Sequence, residues 1–193
     1  MKKIIFLFAL VFFYSETLLA EIKIKSLSEG NIDAKINIIV YESLTCGHCA
    51  DFHKDVYPKL KKDFIDIGLV KIEFRSFPLD LAALNASKIA HCKNDGKTEI
   101  LHFLYENQKK WIKGKTIKEI NKNLKDLVNK NKSISDFDDC LTNKNIEDYV
   151  LNDRISGVKK FNIEATPTLI INDKKFDNPH NYKKLKKTIE KLI

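Results

Sequence analysis

The chain has 193 residues, a formal net charge of +8 and four cysteines. An apolar content of 44% is enough to bury a core and excludes wholesale disorder. The six glycines form neither of the glycine-rich patterns that cradle phosphates, and four cysteines are too few for a small disulfide-knit scaffold. The lysines are spread along the chain among acidic residues, which indicates a solvated surface and no nucleic-acid partner.

The first twenty residues differ from the rest of the chain. Lys2 and Lys3 precede an apolar run over residues 4–14, and the stretch closes at the small residue Ala20. This pattern is typical of a secretory signal peptide covering residues 1–20, and the run is shorter than the roughly 20 apolar residues that span a bilayer. An uncleaved amphiphilic anchor is the alternative. Export to the periplasm would place the cysteines in a compartment where disulfides persist.

Residues 21–193 show no repeat or linker, which predicts one continuous domain. The predicted strands cover residues 36–41, 70–77 and 168–172, with a short return strand through Phe176. A helical pattern follows the first strand, and Pro58 should interrupt it. Helical periodicity then fills residues from about 78 to 161, and a last helix is expected to begin at Asn178 and Pro179. This order predicts an α/β frame interrupted by an all-helical insertion.

Cys46 and Cys49 stand three residues apart where a predicted strand gives way to a helix. The amides and the dipole at a helix N-terminus stabilise an anion, which favours the thiolate of Cys46. Cys49 lies one turn inside the helix, close enough to form or resolve a disulfide, and His48 adds a donor or a positive charge near the Cys46 sulfur. A stabilised thiolate favours the reduced form, so the motif predicts a redox enzyme that donates its disulfide.

Two other roles remain open for this pair. Cys-x-x-Cys spacing also begins zinc sites, but a closed structural site needs a second close pair. Cys92 and Cys140 stand alone, and His53 and His91 have no partner at ligand spacing, so no metal ligand is assigned. An exported, non-enzymatic metal-binding module and an inert structural disulfide are therefore the alternatives to redox catalysis.

Three runs of sequence carry a family resemblance: VYESLTCGHC, RSFPLD and Ala165-Thr166-Pro167-Thr168. With them the chain resembles the DsbA-type thiol:disulfide oxidoreductases of the thioredoxin superfamily, over essentially the whole mature chain. The resemblance implies a thioredoxin-like fold with a helical insertion, catalysis by Cys46 and Cys49, and no cofactor. It also implies a cis peptide bond before Pro167 and a Thr166 backbone that pairs with an extended substrate strand.

The chain departs from the family pattern at two places. Many members carry a buried acid six residues before the first cysteine, and that position is Val40. Glu42, four residues before Cys46, is the nearest acid, and whether it can relay protons is an open question. The Gly-His dipeptide between the cysteines resembles that of eukaryotic disulfide isomerases. An isomerase or reductase on the same fold is therefore the alternative to an oxidase.

Cys92 and Cys140 lie in the helical insertion, and the resemblance implies that they form a structural disulfide there. A second redox pair and two free thiols are the alternatives. The resemblance further implies unfolded exported polypeptides as substrates and a membrane quinone-linked partner as reoxidant. About fifteen residues separate Ala20 from the first predicted strand, too few for an extra dimerisation domain, so we expect a monomer.

Overall fold

The computed structural model describes residues 23–132, 134 and 136–193. The predicted signal peptide, residues 1–20, lies outside the described residues. Of the helices within the described ranges, none combines the length and the apolar character that crossing a membrane requires.

A five-stranded mixed sheet forms the centre of the molecule. Its strands are β1 (Leu27–Glu29), β2 (Ile36–Glu42), β3 (Val70–Ser76), β4 (Thr168–Ile171) and β5 (Lys174–Phe176). Their order is β1-β3-β2-β4-β5, with β2 and β3 parallel and all other neighbours antiparallel. Strand β2 is therefore bonded to a neighbour along both edges, as its β-branched apolar sequence favours.

The helices flank this sheet and fill the chain between β3 and β4. The α-helices of the described residues are α1 (Gly47–Asp55), α2 (Tyr57–Leu60), α3 (Leu81–His91), α4 (Glu99–Glu106), α5 (Gln108–Trp111), α6 (Ile117–Lys132), α7 (Phe137–Thr142), α8 (Lys144–Phe161) and α9 (Tyr182–Glu190). A π-helical segment, Lys61–Ile65, follows α2 directly. Helix α1 ends at Asp55, and Pro58 lies in the first turn of α2, so the predicted interruption is confirmed. The predicted α/β frame with helices between its two halves is confirmed as well.

Alternate side chains of β2 pack on opposite faces of the sheet. Ile38 and Val40 enter the larger core, whereas Tyr41 joins a smaller cluster on the other face. Helix α8 covers this second face closely, because a Cβ atom at Gly157 would lie 2.6 Å from the Tyr41 ring. Glycine is needed at this crossing so that the helix can approach the sheet. Val40, at the family's usual acid position, is a core residue.

Three local predictions differ from the structure. Strand β1 was not predicted, because three residues are too few to show a period, and it is defined by its pairing with β3. The helical stretch predicted over about residues 78–161 is divided more finely than its periodicity indicates, because α4 and α5 are separate helices that divide at Asn107. The last helix begins at Tyr182 rather than at Asn178. Asn178 has a left-handed φ of 65°, and the Asn181 side chain caps the helix by accepting from the Lys184 amide.

Candidate active site

Cys46 lies at the N-cap position of α1, just beyond the end of β2. Its amide donates to the Ser43 carbonyl at 3.0 Å, which closes a turn between strand and helix. The Gln108 side-chain amide supports this turn by donating to the carbonyls of Leu44 and Cys46, at 2.9 and 3.0 Å. Gln108 was not predicted as a site residue, because it belongs to α5, far along the chain. The loop that carries Cys46 is thus held from two sides.

The Cys46 sulfur is partly exposed and surrounded by hydrogen-bond donors. The Cys49 thiol is the largest cause of a lowered pKa, burial opposes it, and the Thr166 side chain and the amides of Cys49 and His48 add to it. Together they lower the pKa of Cys46 to about 5. At pH 7 such a thiol is about 99% thiolate. The predicted stabilisation of the Cys46 thiolate therefore has a structural basis at the start of α1.

Cys49 is fully buried one turn into α1. Burial raises the pKa of its thiol far above the ordinary range, and its hydrogen bond to Cys46 and the charge of Glu42 raise it further. The two cysteines of one motif therefore have opposite proton preferences. In the reduced protein, Cys46 is the anion and Cys49 keeps its proton.

The Thr166–Pro167 peptide bond is cis and lies against the first cysteine. The Cys46 thiol donates to the carbonyl oxygen of Thr166 at 3.4 Å. Within the described part of the chain, the buried Thr166 hydroxyl has no hydrogen-bond partner in this thiol state. It is therefore free to donate to the Cys46 thiolate, in agreement with the part of the Thr166 side chain in lowering the pKa of Cys46.

His48 is exposed beside Cys46 and contacts a second histidine. Its ring meets that of His180 edge-on, with 5.8 Å between the ring centroids. His48 reaches the Cys46 sulfur through its backbone amide, one of the groups that lower the pKa of Cys46. His180 was not predicted as a site residue, since it lies in the loop before α9, more than 130 positions further along the chain. The two imidazoles therefore lie together beside the start of α1, which carries the cysteine pair.

Glu42 ends β2 and is buried behind α1, on the side of Cys49. Its Oε2 atom lies 2.7 Å from Nε2 of His53, a residue of α1 for which no partner was predicted. The charge of Glu42 raises the pKa of Cys49, so the carboxylate is coupled to the buried thiol. Glu42 is therefore a buried acid beside Cys49, two residues beyond Val40 on the same strand.

Cys92 and Cys140 are bonded to each other as a disulfide. The bond joins the C-terminal end of α3 to α7, with 5.5 Å between the two Cα atoms and 48 positions between them in the chain. Both residues contact the larger apolar core. This bond lies within the helical segment between β3 and β4, whereas Cys46 and Cys49 lie at the start of α1.

Comparisons with known proteins agree with this geometry. A family model described as thioredoxin matches residues 23–191. The chain is 28% identical to disulfide bond formation protein D of Bacillus subtilis, over 85% of this chain and 75% of that protein. It is 26% identical to a protein-disulfide oxidoreductase of Rickettsia bellii, of which it spans 63%, less than two thirds. The crystal structure of alpha-DsbA1 from Wolbachia pipientis superimposes with a TM-score of 0.78 at 29% identity, over 86% of this chain and 90% of that one.

The fold and the paired cysteines define a thioredoxin-fold protein with a dithiol–disulfide site. The chain belongs to the thioredoxin family, whose model spans almost all of the described residues. Within that family it is a DsbA-like thiol–disulfide oxidoreductase. The predicted fold class and enzyme class are therefore confirmed.

Proposed function

We propose that the protein introduces disulfide bonds into exported polypeptides, with Cys46 as the sulfur that exchanges with substrate and Cys49 as the resolving sulfur. The observation that carries this proposal is the contrast between the two thiols. Cys46 is accessible and has a pKa lowered to about 5, whereas Cys49 is buried and keeps its proton. A thiolate stabilised in this way makes the reduced form favourable, so the disulfide form is a strong oxidant.

The reaction begins with the Cys46–Cys49 disulfide. A substrate thiolate attacks the Cys46 sulfur, the bond between the two cysteines breaks, and Cys49 leaves as a thiolate that takes up a proton. A second substrate thiolate then attacks the substrate sulfur of the mixed disulfide and releases Cys46 as a stable thiolate. Two electrons pass from the substrate dithiol to the cysteine pair, and the substrate gains one disulfide bond.

The neighbouring residues support this exchange in distinct ways. Thr166 and Pro167 border the groove beside Cys46, where the Thr166 backbone would pair with an extended substrate segment. His48 borders the approach to the same sulfur, and Glu42 exchanges a proton with Cys49. In this assignment Cys92 and Cys140 form a structural disulfide that ties the helical segment together.

The cellular setting follows from the N-terminal sequence. Cleavage after Ala20 would release a single thioredoxin-like domain, residues 21–193, with its helical insertion over about 78–161, into the periplasm. There it would act as a monomer on unfolded polypeptides and be reoxidised by a membrane quinone-linked partner. Mass spectrometry of the exported protein should find a mature chain that begins at Glu21. An N-terminus at Met1 would contradict this part of the proposal.

The activity is tested by mixing oxidised protein with a reduced, unfolded polypeptide and counting the remaining thiols over time. Cys46→Ala should lower the rate at least about a thousandfold, because no other sulfur is both accessible and activated. The double variant Cys92→Ala, Cys140→Ala is the matched control, because it removes two cysteines and should keep the rate. Full activity of Cys46→Ala would refute the assignment.

An isomerase remains the second candidate because of the Gly-His dipeptide between the cysteines. An isomerase, supplied in its reduced form, restores native disulfides in a scrambled substrate. We expect the oxidised protein to form disulfides much faster than the reduced protein reshuffles them. If the reduced protein reshuffles disulfides faster than the oxidised protein forms them, the protein is an isomerase and the oxidase assignment is wrong.

A further inference from the structure

A continuous chain of hydrogen bonds extends from Glu42 away from the cysteines. His53 is bonded to Glu42 through Nε2, and its Nδ1 atom lies 3.1 Å from Nδ1 of His102 in α4. Nε2 of His102 in turn lies 2.8 Å from Oε1 of Glu29, at the end of β1. Four side chains from four elements therefore connect two carboxylates through two imidazole rings.

The two ends of this chain meet different surroundings. At one end, Oε1 of Glu42 and the Tyr105 hydroxyl are buried without a hydrogen-bond partner among the residues that the structure describes. Burial raises the pKa of Tyr105, and the charges of Glu42 and Cys49 raise it further, which places these groups near one another. At the other end, Glu29 and His102 line a cavity of about 1010 Å³ that opens to solvent, and the cavity also reaches the buried side chains of His53 and Tyr105. The chain thus leads from the buried thiol to water.

The imidazole rings of His53 and His102 are each held in position by stacking on a tyrosine ring. The His53 ring lies 4.0 Å from the Tyr105 ring and nearly parallel to it, and the His102 ring lies 4.4 Å from that of Tyr57. The Glu29 carboxylate is fixed by Lys61 at 2.6 Å and by the Thr98 hydroxyl. These contacts leave each imidazole with both nitrogens aimed at the next member of the chain.

Three hydrogens can fill the three contacts, one in each. When both carboxylates are ionised and both imidazoles are neutral, two of the three contacts hold a hydrogen, and a proton that enters at Glu29 or at Glu42 supplies the third. A shift of each hydrogen along its own contact moves one proton from Glu29 to Glu42 or back. An imidazole can take a proton at one nitrogen and release one at the other, so no ring has to turn.

We propose that Glu42, His53, His102 and Glu29 form a proton wire that serves Cys49, an inference that rests on the proposed role of Cys49 as the resolving sulfur. When a substrate thiolate breaks the Cys46–Cys49 bond, a proton from water passes through Glu29 to His102, the hydrogens step toward Glu42, and Glu42 protonates the Cys49 thiolate. Burial raises the pKa of Glu29, but hydrogen bonds from His102, Lys61 and Thr98 outweigh it and hold this pKa well below its ordinary range, so Glu29 carries the proton only in passing.

In the second half-reaction, protons move along the wire in the opposite direction, from Cys49 to water. Cys49 gives its proton to Glu42 and attacks Cys46, the bond from Cys46 to the partner sulfur breaks, and that sulfur leaves as a thiolate. The hydrogens step back, and Glu29 releases a proton to water. Because the two half-reactions alternate, each leaves the two rings in the tautomers that the other requires.

The wire is tested on the step in which Cys49 resolves a mixed disulfide. Reduced protein is mixed with oxidised glutathione, quenched with acid at intervals, and assayed by mass spectrometry for glutathione bound at Cys46. His102→Phe should lengthen the lifetime of this mixed disulfide about tenfold or more, because the new ring fills the space without carrying a proton. Alkylation of Cys46 by iodoacetamide should be unchanged, which shows that the first thiol is intact.

The matched control is His91→Phe, the same substitution at a buried histidine outside the wire that contacts Tyr149. It should leave the lifetime of the mixed disulfide unchanged. His102→Ala provides a second measurement, because it opens the position of the ring to the cavity. Added imidazole should then shorten the lifetime again, whereas 1-methylimidazole should not, since its methyl group blocks one nitrogen.

The outcomes separate the wire from the proposed function. An unchanged lifetime in His102→Phe, or equal rescue of His102→Ala by both imidazoles, would overturn the wire while leaving the oxidoreductase intact. A loss of Cys46 alkylation in parallel with slower resolution would also overturn it, because the substitution would then act on the whole site. If wild-type protein forms no mixed disulfide at Cys46, the proposed function itself fails.

Discussion

The first cysteines of the two pairs lie at opposite ends of their helices. Cys46 is the N-cap residue of α1, whereas Cys92 is the C-cap residue of α3. The helix dipole is positive at the first position and negative at the second, so it favours a thiolate at Cys46 and disfavours one at Cys92. The helix dipole therefore favours the reduced form at Cys46 and the disulfide form at Cys92.

The pairs also differ in how much chain they close. Cys46 and Cys49 enclose only two residues, whereas the Cys92–Cys140 bond joins positions 48 apart. In the chain-entropy model a loop of that length stabilises the fold by about 4 kcal/mol, whereas closure of a single helical turn constrains little. The first pair is therefore suited to exchange and the second to stability.

The largest expected effect is that the loss of one disulfide lowers the free energy of unfolding, whereas the loss of the other raises it. The double variant Cys92→Ala, Cys140→Ala should lower the free energy of unfolding by about 2–4 kcal/mol. Reduction of Cys46–Cys49 should instead raise it, because the folded protein stabilises the Cys46 thiolate and the unfolded chain does not. Urea unfolding of the oxidised protein, the reduced protein and the double variant measures both changes. If both changes in the free energy of unfolding have the same sign, the contrast between the two cysteine pairs is wrong.

A smaller effect concerns the pH dependence of Cys46. Its pKa is about 5 in the folded protein and about 8.5 in an unfolded chain. The extra stability of the reduced form is therefore fully present above about pH 8.5 and is lost as the pH falls through 5.

The rate of alkylation by iodoacetamide reports the same titration. Its midpoint should lie near pH 5, and at pH 6 Cys46 should react about tenfold faster than an ordinary exposed thiol. Cys49→Ala should raise the midpoint, because the Cys49 thiol is the largest cause of the lowered pKa. A wild-type midpoint near pH 8.5 would remove the distinction between Cys46 and an ordinary thiol.

Local patterns were sufficient to predict the frame of the site. The β-branched run of β2, the helix that starts at the cysteine pair and the interruption at Pro58 each depend on neighbours in sequence. The position of Cys46 at a helix N-terminus follows from that frame. Its preference for the thiolate could therefore be predicted before any contact was known.

The surroundings of Cys49 could not be predicted in this way. His53 and His102 are 49 positions apart in the chain, and α1 and α4 each show only an apolar face and a polar face. The contact between the two histidines depends on how α1 and α4 pack against each other, and the periodicity of the sequence does not predict this packing. Gln108 and His180 were missed for the same reason. The acid Glu42 was visible, but its burial and its bond to His53 required the fold.

The reduction potential of the Cys46–Cys49 pair tests the central claim most directly. It is measured at equilibrium with glutathione, in protein whose Cys92–Cys140 bond remains closed. We predict a potential above about −200 mV at pH 7, with a slope of about −30 mV per pH unit, since one proton accompanies two electrons when Cys46 stays a thiolate. A potential at or below about −250 mV would contradict the assignment of Cys46 and Cys49 as an oxidising pair.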